Sequence, residues 1–278
     1  MNTDLPVHDK RPVVGVFDSG FGGLTVLREL LKHLPGADFL YLGDTAHLPY
    51  GSKSQAAVTR YTAAAIQLLS GRGADLVVIA CNTASALALP ALLPTSHLPL
   101  VGVIGTGAAA AAAVALPGST ALVLATEATV ASHAYAEACA AAGLRTVEKA
   151  CPLFVPLVEE GWVDGVITEQ IAAVYLREAL QYGDEVPSAI VLGCTHYPLL
   201  KPLLQRVTSR LVGPVPVVDA AEATARHVAL LLPNAVAAKQ RESTLQCFAT
   251  DSAAKFQRLG PRFLGREIDR VDLVDLDD

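Results

Sequence analysis

The chain has few charged residues, and its positive charges do not cluster. Charged residues make up 17% of its 278 positions, and the formal net charge is -6. No lysine or arginine stripe suits a phosphate backbone, so we expect no nucleic acid partner. Hydrophobic residues make up 52%. This composition predicts a compact globular protein with a substantial core.

Long hydrophobic runs are also missing. The longest apolar stretch, Leu100 to Leu116, is interrupted by three glycines and a threonine. It is too short and too small-sided to cross a membrane. Residues 1–10 are polar and lack the apolar core of a signal peptide. We therefore expect no membrane association and a cytoplasmic location.

Cysteines are few and irregularly spaced, at positions 81, 139, 151, 194 and 247. Their odd number argues against a disulfide framework, and no Cys-x-x-Cys or Cys/His spacing indicates a metal site. A dinucleotide fingerprint and a Gly-Lys-Ser/Thr phosphate loop are both missing as well. No residue pattern demands a metal or a cofactor, and a reducing compartment fits the free thiols.

Short apolar runs alternate with segments of helical period. The runs predict strands at 13–17, 39–42, 76–80, 100–104, 121–124, 146–150 and 190–192. The periodic segments predict helices at 23–34, 55–70, 84–93, 129–142 and 168–182. This alternation is typical of α/β proteins, whose parallel sheets are covered by helices on both faces. Ligands of such sheets bind beyond the carboxyl ends of the strands.

The strands and helices fall into two series that resemble each other. Residues 13–27 and 121–135 both follow the order strand, polar loop, helix. General likeness among α/β repeats would explain this. Alternatively, two like domains face each other across a cleft.

Two cysteines, Cys81 and Cys194, each end an apolar, β-branched run. A buried cysteine is usually an inert small hydrophobe, which is the fair interpretation of the other three. Small polar residues follow Cys81 and Cys194 at once, and helices are predicted to begin there, which would stabilise a thiolate. Two such strands indicate a pair of thiols that face one substrate from opposite sides.

The polar residues next to the two cysteines could assist them. His196 is placed to share a proton with a nearby base, while Thr83 and Thr195 could bind carboxylate oxygens. Glu159 is a candidate acid, although an exposed glutamate at a helix end would look the same.

Two loops after predicted strands are further candidates. The glycine-rich loop at 18–23 could bring backbone N–H groups to an anion, and Asp18 could be catalytic or simply cap the helix. In the loop at 44–52, Tyr50, Gly51 and Ser52 could donate hydrogen bonds to a carboxylate.

Taken together, these segments resemble the glutamate racemases from about Pro12 to about Asp219. The motifs that carry the resemblance are Asp-Ser-Gly-x-Gly-Gly at 18–23, Asp44 with Pro49-Tyr50-Gly51, Ala-Cys-Asn-Thr at 80–83, Cys-Pro-x-x-Val-Pro-Leu-Val-Glu at 151–159 and Gly-Cys-Thr-His-Tyr-Pro at 193–198. Related aspartate racemases typically have Thr-Glu after the second thiol, so His196 favours glutamate as the substrate.

The resemblance implies a cofactor-independent racemase that supplies D-glutamate for peptidoglycan, commonly as a homodimer. Cys81 and Cys194 would be the two acid/base residues, Asp18 would assist Cys81, and His196 with Glu159 would assist Cys194. The substrate would be held by Asp18, Ser19, Tyr50, Gly51, Asn82, Thr83, Thr195 and His196.

The family fold consists of two similar α/β domains with the active site in the cleft between them. Here the first domain would comprise residues 1–104 and 217–278 and would carry Asp18 and Cys81. The second would comprise residues 105–216 and would carry Glu159, Cys194 and His196.

The sequence departs from the family pattern in two loops. Residues 105–107 read Gly-Thr-Gly where many members have Glu-Pro-Gly, and residues 125–129 lack the glycines that usually precede each threonine. Two other interpretations stay open: a decarboxylase or isomerase on the same scaffold, and a metabolite-binding module with structural cysteines. Decarboxylases of this kind usually need one of the two thiols, so the second cysteine argues against the first of these.

Overall fold

The computed structural model describes residues 11–182, 185–237 and 242–276. Ten strands occur in these ranges. They are β1 (Val13–Asp18), β2 (Asp38–Gly43), β3 (Leu76–Ile79), β4 (Leu100–Gly102), β5 (Thr120–Ala125), β6 (Arg145–Ala150), β7 (Ala189–Gly193), β8 (Val217–Asp219), β9 (Leu245–Ala249) and β10 (Val271–Leu273).

Thirteen α-helices lie in the same described ranges. They are α1 (Leu24–His33), α2 (Gln55–Gly71), α3 (Asn82–Leu87), α4 (Leu89–Leu92), α5 (Ile104–Ala112), α6 (Glu127–Ala131), α7 (Ala134–Ala141), α8 (Phe154–Glu159), α9 (Val166–Gln181), α10 (Lys201–Val212), α11 (Ala221–Leu231), α12 (Pro233–Ala237) and α13 (Ala253–Leu264). None of the helices described by the structure is long and apolar enough to cross a membrane.

The strands form two separate parallel sheets, which confirms the predicted fold class. The first sheet has the order β10-β9-β2-β1-β3-β4, and the second has the order β6-β5-β7-β8. All pairings in both sheets are parallel. Residues of the central strands, such as Val78 and Val191, are fully buried because helices cover both faces of each sheet.

The second sheet repeats the topology of four strands of the first. Strands β2-β1-β3-β4 and β6-β5-β7-β8 have the same order relative to their positions in the chain. Cys81 therefore follows β3 and Cys194 follows β7, at equivalent places in the two sheets. The similarity of the two sequence series thus extends to the order in which their strands pair.

The second sheet includes residues beyond the domain boundary that the sequence predicts at position 217. Residues 217–219 were assigned to the first domain, yet β8 pairs with β7 in the second sheet. The apolar Val217 is buried there, which favours this pairing. The chain returns to the first sheet at β9, and the division into two domains itself stays a prediction.

Three predicted elements differ from the structure by more than small shifts of their ends. The strand expected over 100–104 ends at Gly102, because α5 begins at Ile104. The helix expected over 129–142 is split into α6 and α7, where His133 adopts a left-handed backbone conformation with φ 55°. The helix expected over 84–93 is split into α3 and α4, and α3 begins two residues early at Asn82, where the Cys81 sulfur caps it.

Candidate active site

A cavity of about 480 Å³ lies at the carboxyl ends of both sheets, and both cysteines line it. The predicted site residues that also line this cavity are Ser19, Tyr50, Gly51, Asn82, Thr83, Glu159, Thr195 and His196. Asp18 is fully buried and lies behind the wall. The structure therefore brings every predicted site residue except Asp18 to the wall of one cavity, and Asp18 contacts Thr195 of that wall.

Cys81 is held at the start of α3. Its sulfur accepts a hydrogen bond from the Ala84 amide, and its thiol donates to the Ser19 hydroxyl, both at 3.5 Å. The amide hydrogen bond at the start of α3 favours a thiolate, as predicted, but it does not decide the pKa of Cys81. Burial, and after it the negative charge of Asp18, raise the pKa of its thiol to about 12, against the weaker effects of these hydrogen bonds.

Asp18 links the first sheet to the loop after β7. Its carboxylate accepts a hydrogen bond from the Gly20 amide at 2.9 Å and one from the Thr195 hydroxyl at 3.4 Å. Burial raises the pKa of Asp18, while the charge of His196 and the hydrogen bonds act in the opposite direction. Because Asp18 also raises the pKa of Cys81, it favours the protonated thiol there.

Cys194 lies at the end of a line of polar groups. Its sulfur is 4.0 Å from Nδ1 of His196, and Nε2 of His196 is 3.4 Å from Oε1 of Glu159. The second distance suits an ion pair, although the two groups are not aligned for a hydrogen bond. A short 3-10 turn at Tyr197–Leu200 follows, so α10 begins only at Lys201, later than the sequence predicts.

His196 is the positively charged member of this line. Burial alone would lower its pKa, but Cys194 and Glu159 together raise it to about 10. Burial alone would raise the pKa of Glu159, but His196 and then Lys255 bring it below its usual value. The arrangement therefore places a protonated imidazole between a carboxylate and the Cys194 thiol.

The phenol of Tyr50 is occupied within the protein. It donates a hydrogen bond at 2.5 Å to Asp44, which also accepts from His47 and from Thr250. The single phenolic proton of Tyr50 is therefore engaged by Asp44, and the substrate contact expected of Tyr50 stays a prediction. Asp44 is fully buried, and its three partners hold the loop that brings Gly51 to the cavity wall.

Three threonine hydroxyls meet where α3 contacts α6. Thr83 lies 3.0 Å from Thr126 and 3.2 Å from Thr129, and these two lie 2.9 Å apart (all Oγ1 to Oγ1). Thr126 lines the cavity and Thr129 is fully buried beside it; the sequence analysis named neither as a site residue, although both lie in the loop that departs from the family pattern. Hydroxyls both donate and accept, so this cluster can bind a carboxylate.

Two more residues escaped the sequence analysis. Tyr135 donates a hydrogen bond to the side-chain oxygen of Asn82, and Lys255 lines the cavity and pairs with Glu159. A tyrosine and a lysine in unremarkable helical segments carry no local signal of such roles.

Comparisons with known proteins identify the family of the chain. The family model described as Asp/Glu/Hydantoin racemase matches residues 22–228. A curated glutamate racemase of Koribacter versatilis is 47% identical, over 96% of this chain and 98% of its own.

Solved structures agree as well. A glutamate racemase of Francisella tularensis, in complex with D-glutamate, is 33% identical with a TM-score of 0.85, over 97% of this chain and 99% of its own. The glutamate racemase isoform RacE1 of Bacillus anthracis is 33% identical with a TM-score of 0.86, over 96% and 98%. With two like sheets, two cysteines on one cavity and these relatives, the chain belongs to the Asp/Glu/hydantoin racemase family and, within it, to the glutamate racemases.

Proposed function

We propose that this protein interconverts L-glutamate and D-glutamate without a cofactor, by proton transfer between the α-carbon and two cysteines. One thiolate removes the α-proton from one face, while the opposite thiol donates a proton to the other face. The two groups exchange roles in the reverse direction. Each thiol carries a single proton, so the proton that leaves is not the one that returns.

The observation that supports this mechanism is the presence of Cys81 and Cys194 on one cavity, each delivered by the equivalent strand of its sheet. Their surroundings differ. Asp18 and burial favour the protonated form of Cys81, whereas Cys194 lies beside the His196 imidazolium. A protonated Cys81 is suited to donate a proton, and a sulfur beside a cation is suited to accept one.

The energetic demand lies in the low acidity of the α-carbon. Each unit by which the pKa of the α-carbon exceeds that of the thiol adds about 1.4 kcal/mol to the free energy of proton transfer. Hydrogen-bond donors to the substrate carboxylates and the exclusion of water would lower this cost. Donors on the cavity wall include the hydroxyls of Ser19, Thr83 and Thr126 together with the loop at Gly51.

Incubation with L-glutamate in D2O tests the proposal. We expect the D-glutamate formed to carry solvent deuterium from the first turnover, while the remaining L-glutamate keeps its α-proton at early times. Mass spectrometry after separation of the enantiomers measures both. Deuterium in recovered L-glutamate without formation of D-glutamate would contradict two-base racemisation.

Single substitutions test the two cysteines separately. Cys81→Ser and Cys194→Ser should each lower racemisation by about 10²–10⁴-fold, the range that an acid/base group contributes. Circular dichroism follows the loss of optical activity in both directions. Full activity in either variant would refute the assignment.

The biological setting is also part of the proposal. We infer a cytoplasmic homodimer whose D-glutamate enters peptidoglycan synthesis, and the resemblance to the glutamate racemases supports this. Light scattering coupled to size-exclusion chromatography measures the oligomeric state, and a monomer at working concentration would contradict the dimer.

A further inference from the structure

Helix α13 reaches the site from the far end of the chain. It packs against helix α1 and against strand β10 of the first sheet. Three of its residues nevertheless contact Glu159 or His196, which belong to the part of the chain that forms the second sheet. Lys255 Nζ lies 3.2 Å from Glu159 Oε2, and Arg262 donates to the Glu159 backbone oxygen at 3.5 Å. The ring of Phe263 packs edge-on against that of His196.

These contacts follow from the spacing along α13. Lys255 and Arg262 are seven residues apart, which is two helical turns, so both lie on one face. Glu159 is the last residue of α8, where free carbonyl groups attract cations. One cation of α13 therefore meets the side chain of Glu159 and the other meets its backbone.

The Glu159 carboxylate thus lies between two cations. Its Oε1 faces His196 at 3.4 Å and its Oε2 faces Lys255 at 3.2 Å. The line continues from His196 to Cys194, whose sulfur is 4.0 Å from Nδ1. Lys255 is the outer end of a line of four residues that ends at a cysteine of the cavity.

The ammonium group of Lys255 has a defined position. It lies 5.4 Å from the centre of the Phe21 ring, a distance that suits a cation–π contact. Among the cavity-lining residues of the described ranges, it is the one lysine or arginine, and three glutamates share the wall. With one carboxylate oxygen 3.2 Å away, the Lys255 charge acts on Glu159 first.

We propose that Lys255 is a positioning residue of the racemase, which holds the Glu159 carboxylate against His196 and thereby sets the charge around Cys194. This inference rests on the proposed function, in which the Cys194 side of the cavity exchanges protons with the substrate. Lys255 acts through Glu159.

The effect of replacing Lys255 depends on the charged groups around the line from Lys255 through Glu159 and His196 to Cys194. Glu159 faces Lys255 and His196, while His196 faces Cys194, Glu159 and Asp18. When Lys255 is replaced by an uncharged residue, the positive charge of its ammonium group is lost, while the carboxylates of Glu159 and Asp18 keep their negative charges. The positive charge near the Cys194 sulfur is then smaller, and one oxygen of Glu159 loses the partner that orients it.

The test uses three variants of the full chain. Lys255→Met removes the charge and keeps most of the length, and Lys255→Arg keeps the charge. Lys201→Met is the matched control, since Lys201 pairs with Asp219 outside the cavity at similar exposure (34% and 20%, against 40% and 19% for Lys255 and Glu159). Racemisation in both directions gives kcat and KM across pH, and peptide mass spectrometry gives the iodoacetamide alkylation rates of Cys81 and Cys194.

We expect Lys255→Met to lower kcat by about two- to fivefold, the effect that a partly exposed ion pair transmits, with KM little changed. The kcat profile should move to higher pH, and alkylation of Cys194 should slow while that of Cys81 does not. Lys255→Arg should restore kcat to within about twofold of the wild type, and Lys201→Met should behave as the wild type.

Several outcomes would overturn the inference. Lys255→Met could match Lys201→Met in every measurement, it could slow both cysteines equally, or it could raise KM alone, as a direct substrate contact would. A wild type without racemase activity would instead refute the proposed function. Selective slowing of Cys194 alkylation would still support the link from Lys255 to Cys194, and its absence would refute that link.

Discussion

The phenol of Tyr135 donates a hydrogen bond of 2.7 Å to the side-chain oxygen of Asn82. Tyr135 belongs to α7 of the second half and Asn82 begins α3 of the first, directly after Cys81. Gly107 makes room for it, because a Cβ there would lie 2.8 Å from the Tyr135 hydroxyl. The bond therefore connects the two sheets next to one of the two cysteines.

Tyr135→Phe should destabilise the protein by about 1–2 kcal/mol, because it leaves the buried oxygen of Asn82 without its donor. Urea unfolding followed by circular dichroism measures the change. Tyr182→Phe is the control, since Tyr182 is 75% exposed and its replacement should alter the unfolding free energy very little. Equal stability of the Tyr135 variant and the wild type would mean that the bond contributes nothing net.

Local patterns predicted seven of the ten strands in the described residues and the positions of both cysteines at strand ends, but not β8, β9 and β10. Apolar runs such as 76–79 and 189–193 are buried on both faces, so their composition alone identifies them as strands of covered parallel sheets. The polar residues that follow Cys81 and Cys194 lie at carboxyl ends of strands, where ligands of such sheets bind. Both facts can be read from a few consecutive residues.

Long-range contacts account for what the sequence could not predict. Lys255 meets Glu159 across 96 positions of the chain, and it lies outside the motifs by which the sequence resembles the racemases. Tyr135 meets Asn82 across 53 positions. The raised pKa of Cys81 also escaped prediction, because burial by distant residues outweighs the local effect of the α3 amides.

Gly22 should be intolerant of a side chain. A Cβ there would lie 2.1 Å from the Thr195 hydroxyl and 2.7 Å from Nδ1 of His196, and both of these residues are buried. Gly22→Ala should therefore displace the His196 segment and lower kcat, by roughly 10²-fold if the shift reaches about 1 Å. Steady-state kinetics and the alkylation rate of Cys194 measure the effect.

Gly105→Ala is the matched control for Gly22→Ala. Gly105 lies in α5 with nothing within 4 Å of its Cβ position, so alanine should leave activity unchanged and stabilise the helix by up to about 1 kcal/mol. Equal activity of the two variants would contradict this prediction. It would mean that the backbone at Gly22 shifts to accommodate the methyl group without moving Thr195 and His196.

The ion pair of His196 and Glu159 makes stability depend on pH in a defined window. The pKa of His196 is raised from 6.5 to about 10, so its contribution is fully present below pH 6.5 and is lost as the pH rises through about 10. The pKa of Glu159 is lowered, so its contribution is present above pH 4.5 and is lost as the pH falls through its folded-state value. The pair therefore stabilises the protein most between pH 4.5 and 6.5.

Glu159→Gln should destabilise the protein by roughly 1–3 kcal/mol in that window, the range for an interaction with a charged partner. Above pH 6.5 the difference from the wild type should shrink, because the imidazole of the unfolded chain is then neutral while the folded protein keeps its proton until about pH 10. Urea unfolding at intervals from pH 5 to 10 measures the difference, with Glu160→Gln, an exposed neighbour, as the control. A constant difference across this range would mean that Glu159 stabilises the fold independently of the protonation of His196.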